Sequence, residues 1–291
     1  MPEVEVIYIV LPNSMHKEFV VRGAKISKNI LCEKPMATNA TDCQAMIAAC
    51  RQADVKLMIA YRQQYEPMNG KIEKMVREGK IGKLNSIITT NSQKRGEPSQ
   101  WRLKRNLSGG CLPDVGIYCL NAARFLSGEE PIAVQATINQ SKDDPCFTEV
   151  ESHCSFILHF RSGLVATYVS AYDVHRSAVL RLEGSQAWVE MSPSYGYHGS
   201  RLKYSMLTGE SDDKADTTFE LTIPETDQFA LEMDHFAVCV RNNTAPHTGG
   251  EEGLQDQLII DAIYKSAASG ETIRLSPPSS PTQDSTLAEN I

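Results

Sequence analysis

The first eighty residues alternate strand and helix, and their strands carry too few polar residues to face water. Val4-Glu5-Val6-Ile7-Tyr8-Ile9-Val10 is a nearly continuous apolar run, as expected of a strand covered on both faces. Strand 4–11 breaks at Pro12-Asn13-Ser14, where Asn13 or Ser14 is placed to cap a short helix with Met15, Phe19 and Val20 on one side. Asn29-Ile30-Leu31-Cys32 reads as a second buried strand that runs out at Glu33. Thr38 is placed as the N-cap of a helix in which Cys43, Met46, Ile47 and Cys50 follow helical spacing. Lys56-Leu57-Met58-Ile59-Ala60-Tyr61 makes a third strand. It leads through Arg62-Gln63-Gln64-Tyr65 into a helix that starts at Pro67, buries Met68, Ile72, Met75 and Val76, and stops at Gly79. This β-α-β-α-β-α order predicts a doubly wound parallel sheet.

From about residue 83 the period changes. Leu84–Thr90 reads as a strand, followed by a polar loop that ends in Gln100-Trp101-Arg102-Leu103-Lys104-Arg105. After Gly109-Gly110 a helix runs from about Pro113 to Phe125, stopped at Gly128. Further strands are expected near 132–139, 150–160, 163–172, 177–183, 186–191, 201–207 and 217–223. In 150–160, Val150, Cys154, Phe156, Leu158 and Phe160 share one face, and Glu151, His153 and His159 the other. Helices near 226–241 and 251–269 close the series. The expected class is therefore α/β followed by α+β, with a parallel sheet and then a large open, mostly antiparallel sheet with flanking helices. The expected units are 1–82, 83–275 and a disordered Pro/Ser-rich tail at 276–291.

Composition narrows the partners. With 22% charged residues and a net charge of −7 in 291 residues, and no long basic run, neither nucleic acid nor an anionic membrane is an expected partner. No apolar run approaches the ~20 residues that span a bilayer. The eight cysteines include no Cys-x-x-Cys pair, and several fall on apolar faces. They read as buried free thiols in a reducing compartment, hence a cytoplasmic expectation. His153, His159 and His175 lack the carboxylate or cysteine spacing of a metal site, so solvated strand histidines are expected and no metal.

Two short stretches could carry chemistry. Lys34, in Cys32-Glu33-Lys34-Pro35, stands where a buried strand ends, and open parallel sheets bind ligands at the carboxyl ends of their strands. Asp114 and Tyr118 lie four apart at a helix start and so share a face. The Gly109-Gly110 pair before them permits a close backbone approach. A phenol beside an ammonium is a workable acid/base pair, because the cation favours phenolate. Taken singly, each has a plain alternative: a surface lysine before a turn, a helix-start aspartate, a packed tyrosine.

The combination is more specific. Pro12-Asn13-x-x-His16, Cys32-Glu33-Lys34-Pro35, Tyr61-Arg62-x-x-Tyr65, Trp101-Arg102 and Gly109-Gly110-x-x-x-Asp114-x-Gly116-x-Tyr118, with Gly250-Glu251-Glu252-Gly253-x-x-Asp256, resemble in order and spacing the glucose–fructose oxidoreductase/inositol dehydrogenase/MocA family of nicotinamide-dependent enzymes. The likeness runs to about residue 275 and is nearest to the glucose–fructose oxidoreductase branch. It implies Lys34, Asp114 and Tyr118 as the catalytic set. It implies Pro12, Asn13, His16, Glu33, Lys34, Arg62, Trp101, Arg102 and Tyr197 beside the cofactor. It also implies NADP or NAD as cofactor, with NADP favoured by the branch, a sugar or polyol substrate, and a homo-oligomer through the second sheet.

One element of the family pattern is missing. A dinucleotide site opens with a Gly-x-Gly-x-x-Gly turn before a helix, and the 291 residues contain none. The first unit is thus expected to be the second half of a Rossmann-type domain, in a chain truncated at its N-terminus, with weak cofactor binding and an associating first strand. Two functional readings follow: an NAD(P)-dependent oxidoreductase converting an aldose to a lactone, or a non-catalytic sugar or cofactor sensor or scaffold. The intact Lys-Asp-Tyr set favours the first.

Overall fold

The computed structural model describes residues 3–141, 143–208 and 215–278. Strands β1 (Val6–Ile9), β2 (Asn29–Glu33) and β3 (Leu57–Ala60) form a three-stranded parallel sheet in the order β1-β2-β3. Helices α1 (His16–Lys25) and α2 (Ala40–Gln52) connect them. Helix α3 (Pro67–Arg77) follows β3 with Pro67 in its first turn and the Glu66 side chain accepting from the Asn69 N–H. Two local readings change. Asn39, not Thr38, caps α2, its side chain accepting from the Asp42 N–H. Neither Asn13 nor Ser14 caps α1; Asn13–Met15 is a single 3₁₀ turn that runs directly into it.

β1 is shorter and wetter than its composition suggests. It pairs only where β2 lies alongside it, and among the described residues no strand pairs with its other edge. Tyr8 and Val10 are consequently exposed, Val10 by 62%. The opposite edge, at β3, is closed by the chain at 248–249. The Ile59 N–H donates to the Thr248 carbonyl and the Thr248 hydroxyl to the Ile59 carbonyl, both at 2.7 Å.

The second sheet has nine strands: β4 (Leu84–Ser92), β5 (Pro131–Asn139), β6 (His153–Phe160), β7 (Val165–Ala171), β8 (Ser177–Gly184), β9 (Ala187–Ser192), β10 (Arg201–Thr208), β11 (Ala215–Leu221) and β12 (Ile273–Arg274). Their order is β11-β10-β9-β8-β4-β7-β6-β5-β12. Only β4 and β7 are parallel; all other neighbours are antiparallel. Alternation decides the faces: Cys154, Phe156, Leu158 and Phe160 of β6 are buried with Ala166, Tyr168, Leu180 and Leu182. Glu151 departs from the alternation. It lies before the strand proper, is buried, and accepts from the Leu112 N–H and the Tyr264 hydroxyl, both at 3.0 Å.

Helix α4 (Ile117–Ser127) is preceded by one π-helical turn, Leu112–Gly116. Helices α5 (Gln228–Asn242) and α6 (Gly250–Ser269) return to the parallel sheet. Phe236 of α5 packs on Leu31, Met58, Ala60 and Tyr65. A Cβ on Gly253 of α6 would lie within 3.0 Å of Met36 and Ile59, so that glycine sets how closely the helix seats. The expected tail lies outside the described residues from 279 onward.

Candidate active site

The loops at the carboxyl ends of β2 and β3 face loops of the nine-stranded sheet across a cavity of ≈ 680 Å³. Asp114, in the π-helical turn before α4, is part of its lining. Its backbone carbonyl accepts from Lys34 Nζ at 2.7 Å, and its Oδ1 is 3.5 Å from the same nitrogen. Oδ2 accepts from the Tyr172 hydroxyl and lies 3.4 Å from Arg95 Nη2 and 3.1 Å from Arg102 Nε. Burial would raise the Asp114 pKa. Lys34, Arg102, the Tyr172 hydrogen bond and Arg95 outweigh it and hold the carboxyl below its ordinary range. For Lys34, burial pulls downward, but Tyr118, Asp114 and Glu33 together raise its pKa. Both groups are therefore charged at neutral pH.

Tyr118 lies one helical turn beyond Asp114. Lys34 Nζ sits 4.6 Å from its ring centroid and Arg62 Cζ 4.9 Å, an arrangement that stabilises negative charge developing on the phenol. The two glycines explain how Arg102 comes within reach. A Cβ on Gly109 would fall 2.2 Å from the Arg102 carbonyl oxygen. The Gly110 N–H donates to that oxygen at 2.9 Å, with Gly110 at φ +127°. The Trp101-Arg102 loop is thereby held against the turn that leads into α4, with the Arg102 guanidinium 4.5 Å from the Trp101 ring centroid.

Pro12, Asn13, Glu33, Lys34, Arg62, Trp101, Arg102, Asp114, Tyr118 and Tyr197 all line this cavity. Asn13 donates to the Ser108 carbonyl at 2.9 Å. Glu33 accepts from the Tyr8 hydroxyl at 2.7 Å. His16 stands apart: it is fully buried beneath the cavity, its ring nitrogens 3.0 and 2.9 Å from the carbonyl oxygens of Pro35 and Leu11. Burial lowers its pKa despite those contacts. It ties the loop after β1 to the loop after β2. Arg62 is 5% exposed and largely engaged within the protein, donating to Gln228 Oε1 and to the Tyr195 and Gly196 carbonyls. Its guanidinium is stacked between Tyr118 and Tyr197.

Sequence reasoning did not single out Tyr172, Arg95, Arg176 and Ser194. Tyr172 follows β7 and is buried behind Asp114, and the others lie in irregular segments with no periodicity to mark them; only the fold brings Arg95, Arg176 and Ser194 to the cavity. The lining fits the nicotinamide end of a dinucleotide. It offers an ammonium and an amide beside the strand ends and an indole. It includes no glycine-rich turn of the kind that holds a pyrophosphate.

Residues 1–61 match the family model described as an oxidoreductase family with an NAD-binding Rossmann fold. Residues 70–190 match that of the GFO/IDH/MocA C-terminal domain. Among curated relatives, D-xylose 1-dehydrogenase [NADP(+)] of Haloarcula marismortui is 32% identical over 93% of this chain and 74% of its own length. Inositol 2-dehydrogenase of Rhizobium meliloti is 24% identical over 94% and 81%. Among solved structures, the aldose-aldose oxidoreductase of Caulobacter crescentus, complexed with glycerol, superimposes with a TM-score of 0.88 at 41% identity. That match covers 94% of this chain and 80% of the other. Levoglucosan dehydrogenase in complex with NADH and L-sorbose shares the fold, with a TM-score of 0.84 at 22% identity over 95% and 81%.

Proposed function

The chain belongs to the GFO/IDH/MocA family of oxidoreductases, and from that premise we propose that it oxidises a CH–OH group of a sugar or polyol with NAD(P), taking an aldose to its lactone. The observation that carries this reading is the convergence of Lys34, Asp114 and Tyr118 at the carboxyl ends of the parallel strands. Tyr118, as the phenolate that the Lys34 and Arg62 cations favour, takes the proton from the substrate hydroxyl. Lys34, held as an ammonium, is a poor proton acceptor; it supplies fixed charge beside the phenolic ring. Asp114 stays ionised and orients Lys34, with Arg102, Arg95 and Tyr172 bracing it in turn. Asn13, Glu33, Trp101, Arg102 and Tyr197 would hold the nicotinamide end of the cofactor. The bound cofactor would supply the hydride acceptor for the carbon whose hydroxyl loses its proton. NADP is favoured over NAD by the xylose dehydrogenase relative.

Two further inferences complete the reading. The outer face of the nine-stranded sheet exposes Ile88, Ile132 and Val165, a face suited to a second copy of the chain. Eight buried free cysteines suit a reducing, cytoplasmic compartment. Among the described residues no helix is long and apolar enough to cross a membrane.

Removing the phenolic oxygen tests the chemistry. Tyr118→Phe is expected to lower kcat by about 10²–10⁴-fold, measured as nicotinamide reduction on an aldose panel; undiminished turnover would sink the assignment. Titration with NADPH and NADH, followed by nicotinamide fluorescence, tests the cofactor. Absence of binding at millimolar concentration would leave the non-catalytic reading in its place.

A further inference from the structure

The cavity is lined by five cationic side chains, Lys34, Arg62, Arg95, Arg102 and Arg176, and by two carboxylates, Glu33 and Asp114, in a chain whose net charge is −7. A surplus of one sign in a cleft concentrates the field there. Internal pairing does not absorb it. Lys34, Arg95 and Arg102 share the single carboxylate of Asp114. Arg62 donates to neutral oxygens. Arg176 makes no hydrogen bond or ion pair with any described residue.

The surplus has a direction. Glu33 ends β2, and Lys34 and Arg62 follow β2 and β3, the edge where a parallel sheet holds its nucleotide. Arg95 and Arg176 come from the facing wall, just after β4 and just before β8. Arg95 is fixed there by its N–H donating to the Tyr172 carbonyl at 2.8 Å, while its Nε is buried without a partner among the described residues. A Cβ on Gly196 would stand 3.8 Å from Arg176 Nη2, so this guanidinium lies against the turn at 194–197. In that turn Ser194 is 1% exposed, its N–H donating to the Ala178 carbonyl at 2.9 Å and its hydroxyl meeting no acceptor among the described residues. Buried donors without acceptors are costly unless a ligand completes them. Guanidinium groups match carboxylate and phosphate oxygens in geometry as well as charge.

We propose that the sugar oxidised at this site carries an anionic group, a carboxylate or a phosphate ester, and that Arg95 and Arg176, with Ser194, bind it. The proposal rests on the reading of the site as a sugar oxidoreductase and names its substrate class. The test uses the purified 291-residue chain with NADP⁺ and NAD⁺ in turn, and three hexoses: glucose, glucuronate and glucose 6-phosphate. Initial rates are paired with calorimetric binding of each sugar.

One of the two anionic sugars is expected to exceed glucose by tenfold or more in kcat/KM, mainly through KM, and which one does so identifies the group. The ratio should fall towards one in Arg176→Gln and in Arg95→Gln. Taking it within each variant cancels any loss of folded protein. Glucose matching both anionic sugars overturns the proposal, and so does a preference that survives both substitutions. If Arg176→Gln weakens NADPH binding and leaves the sugar ratio intact, the arginine belongs to the cofactor and the proposal fails. If no sugar is turned over, the oxidoreductase reading falls for this chain, and calorimetry still decides. Tenfold tighter binding of an anionic sugar, lost in Arg176→Gln, supports the anion site; equal or undetectable binding ends it.

Discussion

Glu232, on α5, is fully buried, and neither of its carboxyl oxygens meets a partner among the described residues. Burial, and then the facing charge of Glu33, push its pKa up to about 9 against the pull of Arg62. Because the folded value lies above the ordinary ~4.3, the group's contribution to stability is full below about pH 4 and is lost as pH rises towards 9. Glu232→Gln keeps the shape and removes the titration. Its Tm should exceed the parent's by about 5 °C at pH 8 and match it near pH 4.5, a difference read from thermal melts followed by circular dichroism. An equal offset at both pH values would mean that packing, not charge, governs the site. Lys34, Asp114 and Tyr118 could be picked out in the chain because strand ends and helix starts have local signals. Glu232 could not: its spacing on α5 is ordinary, and its isolation comes from what packs around it.

Among the elements, β1 is where composition and structure part. Its run of Val and Ile reads as a central strand, yet among the described residues it pairs on one side only, and Tyr8 and Val10 are exposed. An apolar strand with free N–H and C=O groups is a template for pairing with another chain. The 291-residue chain should therefore associate with rising concentration in size-exclusion chromatography. A monomer elution volume that holds constant up to high concentration would count against this. Eight strands of the second sheet were legible because period-two alternation marks them one by one; β12, two residues long, is too short to show a period. Their order was not: the parallel β4–β7 pair at its centre joins segments more than seventy residues apart, and no local pattern reports on such a pairing.

For the whole molecule, Arg124 centres a buried polar network that joins α4 to α6. It is fully buried on α4 and pairs with Glu130, with Glu252 at 2.8 Å and with Asp256 at 2.5 Å. Asn121 donates to Glu252 and Asp256, and Gln64, just past β3, donates to Asn121 and Glu252. Burial pushes Asp256 up to about 7 against the pull of Arg124, with the nearby charge of Glu252 adding to the rise. Removing the cation leaves buried carboxylates uncompensated, which costs about 3–5 kcal/mol. Arg124→Met should lower stability in urea by that amount at pH 7.5. The transition should also broaden or split as the parallel sheet loosens from α4 and α6. A loss under about 1 kcal/mol, within the range of an ordinary surface change, would show that apolar packing of α5 and α6 suffices to hold the sheets together.

By itself the sequence determined the periods: which segments are strands or helices, which faces are apolar, and that a lysine, an aspartate and a tyrosine sit at ends of elements where side chains can reach a ligand. These follow from neighbours within a few residues, because helical and strand geometry act at that range. Only the tertiary structure decided that Arg95, Arg102 and Tyr172 brace Asp114, that His16 lies beneath the cavity instead of in it, and that Arg176 and Ser194 share a wall. Each of those placements joins loops from separate elements, and the burial and charge that set their chemistry exist only once the two sheets have closed on one another.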